Sequence, residues 1–354
     1  MEMPYNDIIR KFIDMYAGRL RNQVSFMLSA CNFYMPIFEE ALDAYGLPLE
    51  LRYLPIIESA LNPSAVSRAG ASGLWQFMIG TGKIYGLESN SLVDERRDPI
   101  KATWAAARYL KEMYDIYGDW NLVIAAYNCG PGTINKAIRR ANGETDYWKI
   151  YNYLPKETRG YVPAFIAANY VMTYYCDHNI CPMETNIPAS TDTVQVNKNL
   201  HFEQIADLCN VPLDQIKSLN PQYKKHMIPG DSKPYTLRLP IDAISTFIDK
   251  QDTIYAHRAD ELFRNRKTVA VKEITPSTRK TTAAVAGKGK LTYYTIKSGD
   301  TLSTIAGKYG VTIKDIQRWN GMSNTKIAAG KRIENIQINS FLLASFGNLL
   351  ILQN

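Results

Sequence analysis

Apolar residues in the first half of the chain recur at the three-to-four spacing of one helix face, most clearly between Pro99 and Tyr117. There Ala106, Leu110, Met113 and Tyr117 share one side of a helix. Asp98 followed by Pro99 makes an N-cap and a first-turn proline, and Gly118 a stop. From Tyr5 to about Ile180 the helical spacing is broken only by proline and glycine punctuation, and few stretches alternate with period two. The pattern predicts an all-α domain of about 180 residues.

Beyond Pro182 the pattern changes, and a repeat appears at an offset of 100 residues. Core-type positions such as Phe202, Ile205, Ile216, Asn220 and Gly230 recur as Leu302, Ile305, Ile316, Asn320 and Gly330. Each copy opens on an alternating strand, continues with two short helices and returns to an alternating segment, a β-α-α-β unit of about 45 residues. Between the copies, Ile241 to Phe263 reads as one more amphipathic helix. Arg264 to Lys290 is rich in Lys, Arg, Thr, Ala and Gly, and predicts a flexible tether because it holds too little apolar area to offset its ordering entropy. The expected organisation is therefore a helical domain over 1–182, a first module over 191–241, helix and linker over 242–290, a second module over 291–338 and a tail over 339–354. The fold class is α+β multidomain.

Composition narrows the function. With 354 residues, 46% hydrophobic and 21% charged, the chain has room for two or three compact units and is not disordered throughout. No apolar run approaches the roughly 18 residues of a spanning helix, so no transmembrane segment is expected. The net charge of +7 is accounted for by Arg264 to Lys290, which holds eight basic residues and one acidic. That stretch contains no aromatic residue, which argues against a nucleic-acid partner. The 5 cysteines contain no CxxC pair, so no metal site is expected. Cys176 and Cys181 flank a short loop and could bridge, although lone buried thiols are the more frequent outcome.

The segment richest in chemistry runs from Leu51 to Leu87. Glu58 ends an apolar helical run containing Leu54, Ile56 and Ile57, where partial desolvation would raise its pKa and let it hold a proton near neutral pH. A solvated helix-end Glu is the commoner outcome on composition alone. The company Glu58 keeps shifts the reading, because Ser59, Ser67, Gln76, Met78, Tyr127 and Asn128 offer hydroxyl and amide groups beside aromatics, as an N-acetylated pyranose requires. Gly70 and Gly73 bracket a tight turn that would let backbone approach a bulky ligand.

On these residues the chain resembles the lysozyme-like family of lytic murein transglycosylases, specifically the membrane-bound lytic murein transglycosylase D type. Glu58-Ser59 matches its "ES" motif, Gly73-Leu74-Trp75-Gln76 its "GL(M/W)Q" motif and Ala126-Tyr127-Asn128 its "AYN" motif. Glu157 to Pro163, reading ETRGYVP, is similar to its fourth motif. Tyr293 to Ile333 resembles a LysM module with an intact Ser298-Gly299-Asp300 turn, whereas in the copy at Thr193 to Pro240 Lys198-Asn199-Leu200 replaces that turn.

The resemblance implies an all-α lysozyme-like catalytic domain followed by LysM modules, acting on peptidoglycan glycan strands without cofactor or metal. Glu58 is implied as sole acid and base, opening the bond between N-acetylmuramic acid and N-acetylglucosamine and closing a 1,6-anhydro ring with the sugar's own C6 hydroxyl. Ser67, Gln76, Met78, Tyr127 and Tyr161 are implied to line the cleft, Ser59 and Asn128 to support the backbone around it, and Tyr127 to hydrogen-bond Glu58. N-acetylglucosamine units are the expected ligand of the second LysM module. Murein lies outside the cytoplasmic membrane, so a periplasmic or envelope location is expected, with a leader preceding Met1. Two rival readings stand: a hydrolytic lysozyme of the same fold, for which Asp94, Asp98 and Asp119 are the nearest second carboxylates in sequence although each reads better as a turn or cap residue, and a non-catalytic peptidoglycan-binding protein.

Overall fold

The computed structural model describes residues 1–185, 187–188, 190–263, 291–296, 302, 316–317, 320, 322 and 332–337. The chain divides into a first compact unit within Met1–Pro276 and a second within Ser277–Gly347.

The first unit opens with α1 (Asp7–Ala17) and the long α2 (Arg21–Ala44). A 3-10 turn over Leu49–Tyr53 leads into the short α3 (Leu54–Ser59), and α4 (Ile79–Ile84) follows a wide loop. Then come α5 (Pro99–Tyr117), α6 (Trp120–Cys129), α7 (Pro131–Arg140), α8 (Tyr147–Ile150) and α9 (Lys156–Thr173). The caps are those the sequence predicts: Asp98 Oδ1 accepts from the Ile100 and Lys101 amides at 3.0 Å, and Gly118 ends α5 at φ 63°. Asp119 Oδ1 caps α6 through the Leu122 amide at 2.7 Å. Helix α6 is the hub of this part, contacting α5, α7 and α9, and its residues Leu122 to Ala126 are wholly buried. One continuous core runs from Ile9 to Ile180 and includes Phe38, Trp75 and Phe165.

The first module follows, with β1 (Thr191–Val196), β2 (Asn199–His201), α10 (Phe202–Cys209), α11 (Leu213–Leu219), β3 (Met227–Pro229) and β4 (Tyr235–Pro240). β1 pairs antiparallel with β4, placing Val194 opposite Leu237, and β2 pairs antiparallel with β3. This is the expected β-α-α-β unit with an additional inner strand pair. The stretch from Ile241 to Phe263 is not the single helix its periodicity predicts. It breaks into α12 (Ile241–Asp249), α13 (Gln251–Ala256) and α14 (Ala259–Leu262), with Arg258 at φ 51°. A straight 23-residue helix would be about 35 Å long and would leave a small module behind. The break instead folds α12 and α13 against α10, burying Phe247 and Ile254 in the module core.

Two residues of the helical domain belong to that same core: Leu92 and Val93, which precede α5, are 2% and 0% exposed among module side chains. Backbone pairing reinforces the docking. Val93 bridges to Tyr223, the Asp94 amide donates to the Gln222 carbonyl at 2.8 Å, and the Lys224 amide donates to the Leu92 carbonyl at 2.6 Å.

In the second unit, β5 (Leu291–Thr295) and β6 (Arg332–Gln337) pair antiparallel, and the repeat positions Leu302 and Ile316 are buried. The expected tether, the Ser298-Gly299-Asp300 turn, Trp319 and the tail over 339–354 lie outside the described residues. The expectation of buried thiols fails at Cys176 and Cys181, which are free and exposed because they flank the turn by which the chain leaves α9 and the core. Cys129 and Cys209 are buried.

Because Leu92 fills a site in the module core, Leu92→Ala should destabilise the module by about 2–4 kcal/mol through the cavity it leaves. Chemical unfolding followed by tryptophan and far-UV signals checks this; a change below about 0.5 kcal/mol would show that the loop only rests on the module.

Candidate active site

Glu58 is the penultimate residue of α3, a helix of 6 residues started by Pro55 in its first turn. The helix ends abruptly. Ala60 and Leu61 both take left-handed backbone, at φ 51° and 58°, a conformation that costs a non-glycine residue about 1 kcal/mol or more. Leu61 is 1% exposed, so its burial in the core offsets that cost and fixes where α3 stops.

Glu58 keeps part of its surface open to solvent, yet it is densely surrounded by protein, and burial pushes its carboxyl up to about 7. The Tyr161 hydroxyl donates to Glu58 Oε1 and works in the opposite direction, favouring the carboxylate, while the negative charge of Glu157 raises the value again. Burial wins. The group is therefore poised to give up and take back a proton near neutral pH.

The four motifs are joined by hydrogen bonds around this carboxyl. Ser59 Oγ donates to the Pro55 carbonyl at 3.0 Å and to the Leu74 carbonyl at 2.9 Å, tying the end of α3 to the GLWQ loop. The Tyr127 hydroxyl donates to the Trp75 carbonyl at 2.7 Å, tying α6 to the same loop. Asn128 Oδ1 accepts from Thr158 Oγ1 at 2.9 Å, joining α6 to α9, which carries Tyr161. The loop is shaped by bridges from Ser72 to Val66 and Phe77. Gln76 sits in it at φ 48° with its side-chain amide donating to the Gly73 carbonyl at 2.8 Å. The Ser67 hydroxyl accepts from the Ala71 amide at 3.0 Å and closes the turn around Gly70, and Met78, 37% exposed, leads into α4. Gly73 has no alternative at its position, because its φ is 89° and a Cβ there would lie 1.7 Å from the Arg96 carbonyl oxygen. Trp75 is a core residue, fully buried with its indole N–H on Thr103 Oγ1 at 2.9 Å.

One expectation is corrected. The tyrosine on Glu58 is Tyr161, from α9, while the Tyr127 hydroxyl is spent on backbone. The carboxylate that acts on Glu58 is Glu157, in the first turn of α9, a residue inside the fourth motif that its sequence distance of almost 100 positions from Glu58 disguised. Asp94, Asp98 and Asp119 are engaged elsewhere: Asp94 in an ion pair with Arg96 at 2.8 Å, the other two as helix caps. Among the described residues no cluster of His, Cys, Asp or Glu could hold a metal ion.

Three family models match along the chain. Residues 35–150 match the Transglycosylase SLT domain, 190–256 the LysM-like domain of lytic transglycosylase MltD, and 294–334 the LysM domain. The chain is 31% identical over 337 residues to membrane-bound lytic murein transglycosylase D of Escherichia coli K12, an alignment covering 94% of this chain and 70% of that protein. It is 33% identical over 124 residues to the soluble lytic murein transglycosylase of the same organism, covering 33% of this chain and 19% of that protein. The crystal structure of the 70 kDa soluble lytic transglycosylase from Escherichia coli aligns over 40% of this chain and 24% of that one, at 29% identity and a TM-score of 0.35.

The forces on Glu58 give predictions of opposite sign. Tyr161→Phe removes a bond to the carboxylate and should raise the Glu58 pKa, whereas Glu157→Gln removes a repelling charge and should lower it. Infrared titration of the carboxyl C=O band checks both, and shifts in the same direction would contradict the assignment. The folded-state value stands above the ordinary 4.5, so the stability Glu58 contributes is complete below about pH 4.5 and is lost as pH rises through about 7. Glu58→Gln should therefore be more stable than wild type by roughly 1–3 kcal/mol at pH 8 and equal to it at pH 4.

Proposed function

The chain belongs to the membrane-bound lytic murein transglycosylase D family and cleaves peptidoglycan by transglycosylation, and we propose that Glu58 alone performs both proton transfers of that reaction. The observation that carries this is a carboxyl with a pKa pushed up to about 7, reachable from solvent and oriented by Tyr161. Protonated Glu58 gives its proton to the oxygen between N-acetylmuramic acid and N-acetylglucosamine as the C1–O bond breaks. The resulting carboxylate takes the proton of the C6 hydroxyl on the same muramic residue, whose oxygen attacks C1 and closes the 1,6-anhydro ring. Substrate supplies the nucleophile, so the step is intramolecular and no second carboxylate or water is consumed. Gln76, Ser67, Met78 and Tyr127 border the cleft in this reading, while Ser59 and Asn128 hold the backbone that carries them.

The LysM domain binds peptidoglycan, and its ligand within that polymer is N-acetylglucosamine in this proposal. The first module is assigned no sugar. Its replaced turn is occupied from within, because a Cβ on Gly230 would lie 2.2 Å from the Lys198 carbonyl oxygen and Asn199 pairs with Asp231. The enzyme works in the cell envelope, in the periplasm by this proposal. No helix among the described residues is long and apolar enough to cross a membrane.

Glu58→Gln keeps shape and hydrogen bonding but carries no transferable proton, and should lower turnover by about 10² to 10⁴. Digests by the wild type should end in 1,6-anhydromuramic residues that resist borohydride and are about 18 Da lighter than hydrolytic ends. Reducible ends as the main product would transfer the assignment to a hydrolase of the same fold.

A further inference from the structure

Arg96 takes no part in the proton transfers, yet it is 5% exposed and bound on three sides. Its Nε and Nη2 donate to Asp94 Oδ1 and Oδ2 at 2.8 Å, a bidentate pair. Its Nη1 donates to the Gly70 carbonyl at 2.8 Å and the Phe77 carbonyl at 2.9 Å. Gly70 and Phe77 are the two ends of the loop that presents Gln76, so one buried cation pins both ends of a cleft wall. The backbone of the same short segment braces the middle: the Arg96 carbonyl packs where Gly73 lacks a Cβ, and Arg97 Nε donates to Ser72 Oγ at 3.0 Å.

The segment is in turn held by the LysM-like module. Lys224 Nζ donates to the Asn90 carbonyl at 2.8 Å and lies 3.8 Å from Asp94 Oδ2. Burial would raise the Asp94 carboxyl, but Arg96, then Lys224 and Arg97, hold it below the ordinary carboxylate range. Two successive left-handed residues, Lys225 at φ 58° and His226 at φ 56°, follow Lys224. They sharpen the turn that presents it, a conformation with a cost that packing must offset. Beside this contact, Glu88 accepts from the Tyr235 hydroxyl at 3.2 Å and pairs with Lys233 at 2.6 Å.

We propose that Arg96 is a positioning residue for the substrate cleft, and that the LysM-like module, acting through Lys224 on Asp94 and Asn90, is a fixed part of the cleft wall rather than an independent sugar binder. The proposal takes from the functional reading only that the loop from Ser67 to Phe77 borders the cleft. A wall held this way fixes where the glycan lies relative to Glu58 without touching the proton chemistry, so its loss weakens productive binding more than turnover.

The test uses the full chain with Lys224→Met, Lys224→Arg and Arg96→Lys. Hydrogen exchange is read at the Ser72 and Gly73 amides, which donate to the Phe77 and Ala65 carbonyls. Lys224→Met should speed exchange there about tenfold with α6 amides unchanged. It should raise KM on soluble glycan strands roughly five- to tenfold with kcat within about twofold. The alkaline limb of the pH profile near 7 should stay in place. Lys224→Arg should restore both readouts, and Arg96→Lys, which keeps the charge but loses the fork, should reproduce the Lys224→Met signature. Unchanged exchange at Ser72 and Gly73 in both Lys224→Met and Arg96→Lys would overturn the proposal, as would a uniform fall in kcat that tracks loss of folded protein. Exchange that changes as expected in a protein whose wild type leaves only reducible ends would overturn the proton-transfer reading and leave the positioning role intact.

Discussion

A carboxyl group that holds a proton near neutral pH, as the proposed mechanism asks of Glu58, has to be withdrawn from water, and the packing of the helical domain does this. Burial disfavours the carboxylate, and the packing of α3 against α9 supplies it. Burial alone would hold the proton more tightly. Tyr161 moderates it by donating to Oε1, which favours the carboxylate, and the group ends near 7. Both directions of proton transfer are then within a few kcal/mol at neutral pH, which a reaction with one titrating residue demands.

The wall beside this acid is a loop made largely of turns, and its backbone groups have to find partners that a helix or sheet would otherwise provide. Ser59, Tyr127 and Arg96 supply donors to the carbonyls of Leu74, Trp75, Gly70 and Phe77. Using an arginine for this is expensive because its charge is nearly buried, and Asp94 is the compensation, since a buried cation without a bidentate partner would cost several kcal/mol. A carboxylate that sequence proximity offers as a catalytic base is therefore committed to the architecture of the site.

Local features were the most legible in the sequence. The Asp98 cap, the Pro99 start and the Gly118 stop depend on residues within a few positions of one another, as does the place of Glu58 at the end of an apolar run. Which tyrosine meets Glu58 was not legible, because Tyr127 and Tyr161 are both buried-prone aromatics in recognised motifs and the choice is made by the packing of α9 on α3. Glu157 escaped notice for the same reason. The break of Ile241 to Phe263 was hidden differently: the apolar period survives on each side of Lys250, so periodicity cannot distinguish one long helix from two that fold onto the same core.

In the first module the residues at the LysM turn are engaged within the module itself. A LysM turn that is free to meet a sugar needs its backbone accessible, yet in the first module Lys198 backs onto Gly230, Asn199 pairs with Asp231, and the Lys198 ammonium lies over the Tyr255 ring of α13. The surface on the other side is taken up by Leu92, Val93 and the Glu88 to Asp94 contacts. Burying Leu92 and Val93 contributes on the order of 3–5 kcal/mol, enough to keep such a module docked but attainable only if its inner face is apolar and its edge is free to pair with Val93. Under the proposed function the sugar-binding role falls to the second module, whose sequence keeps the Ser298-Gly299-Asp300 residues that the first has lost.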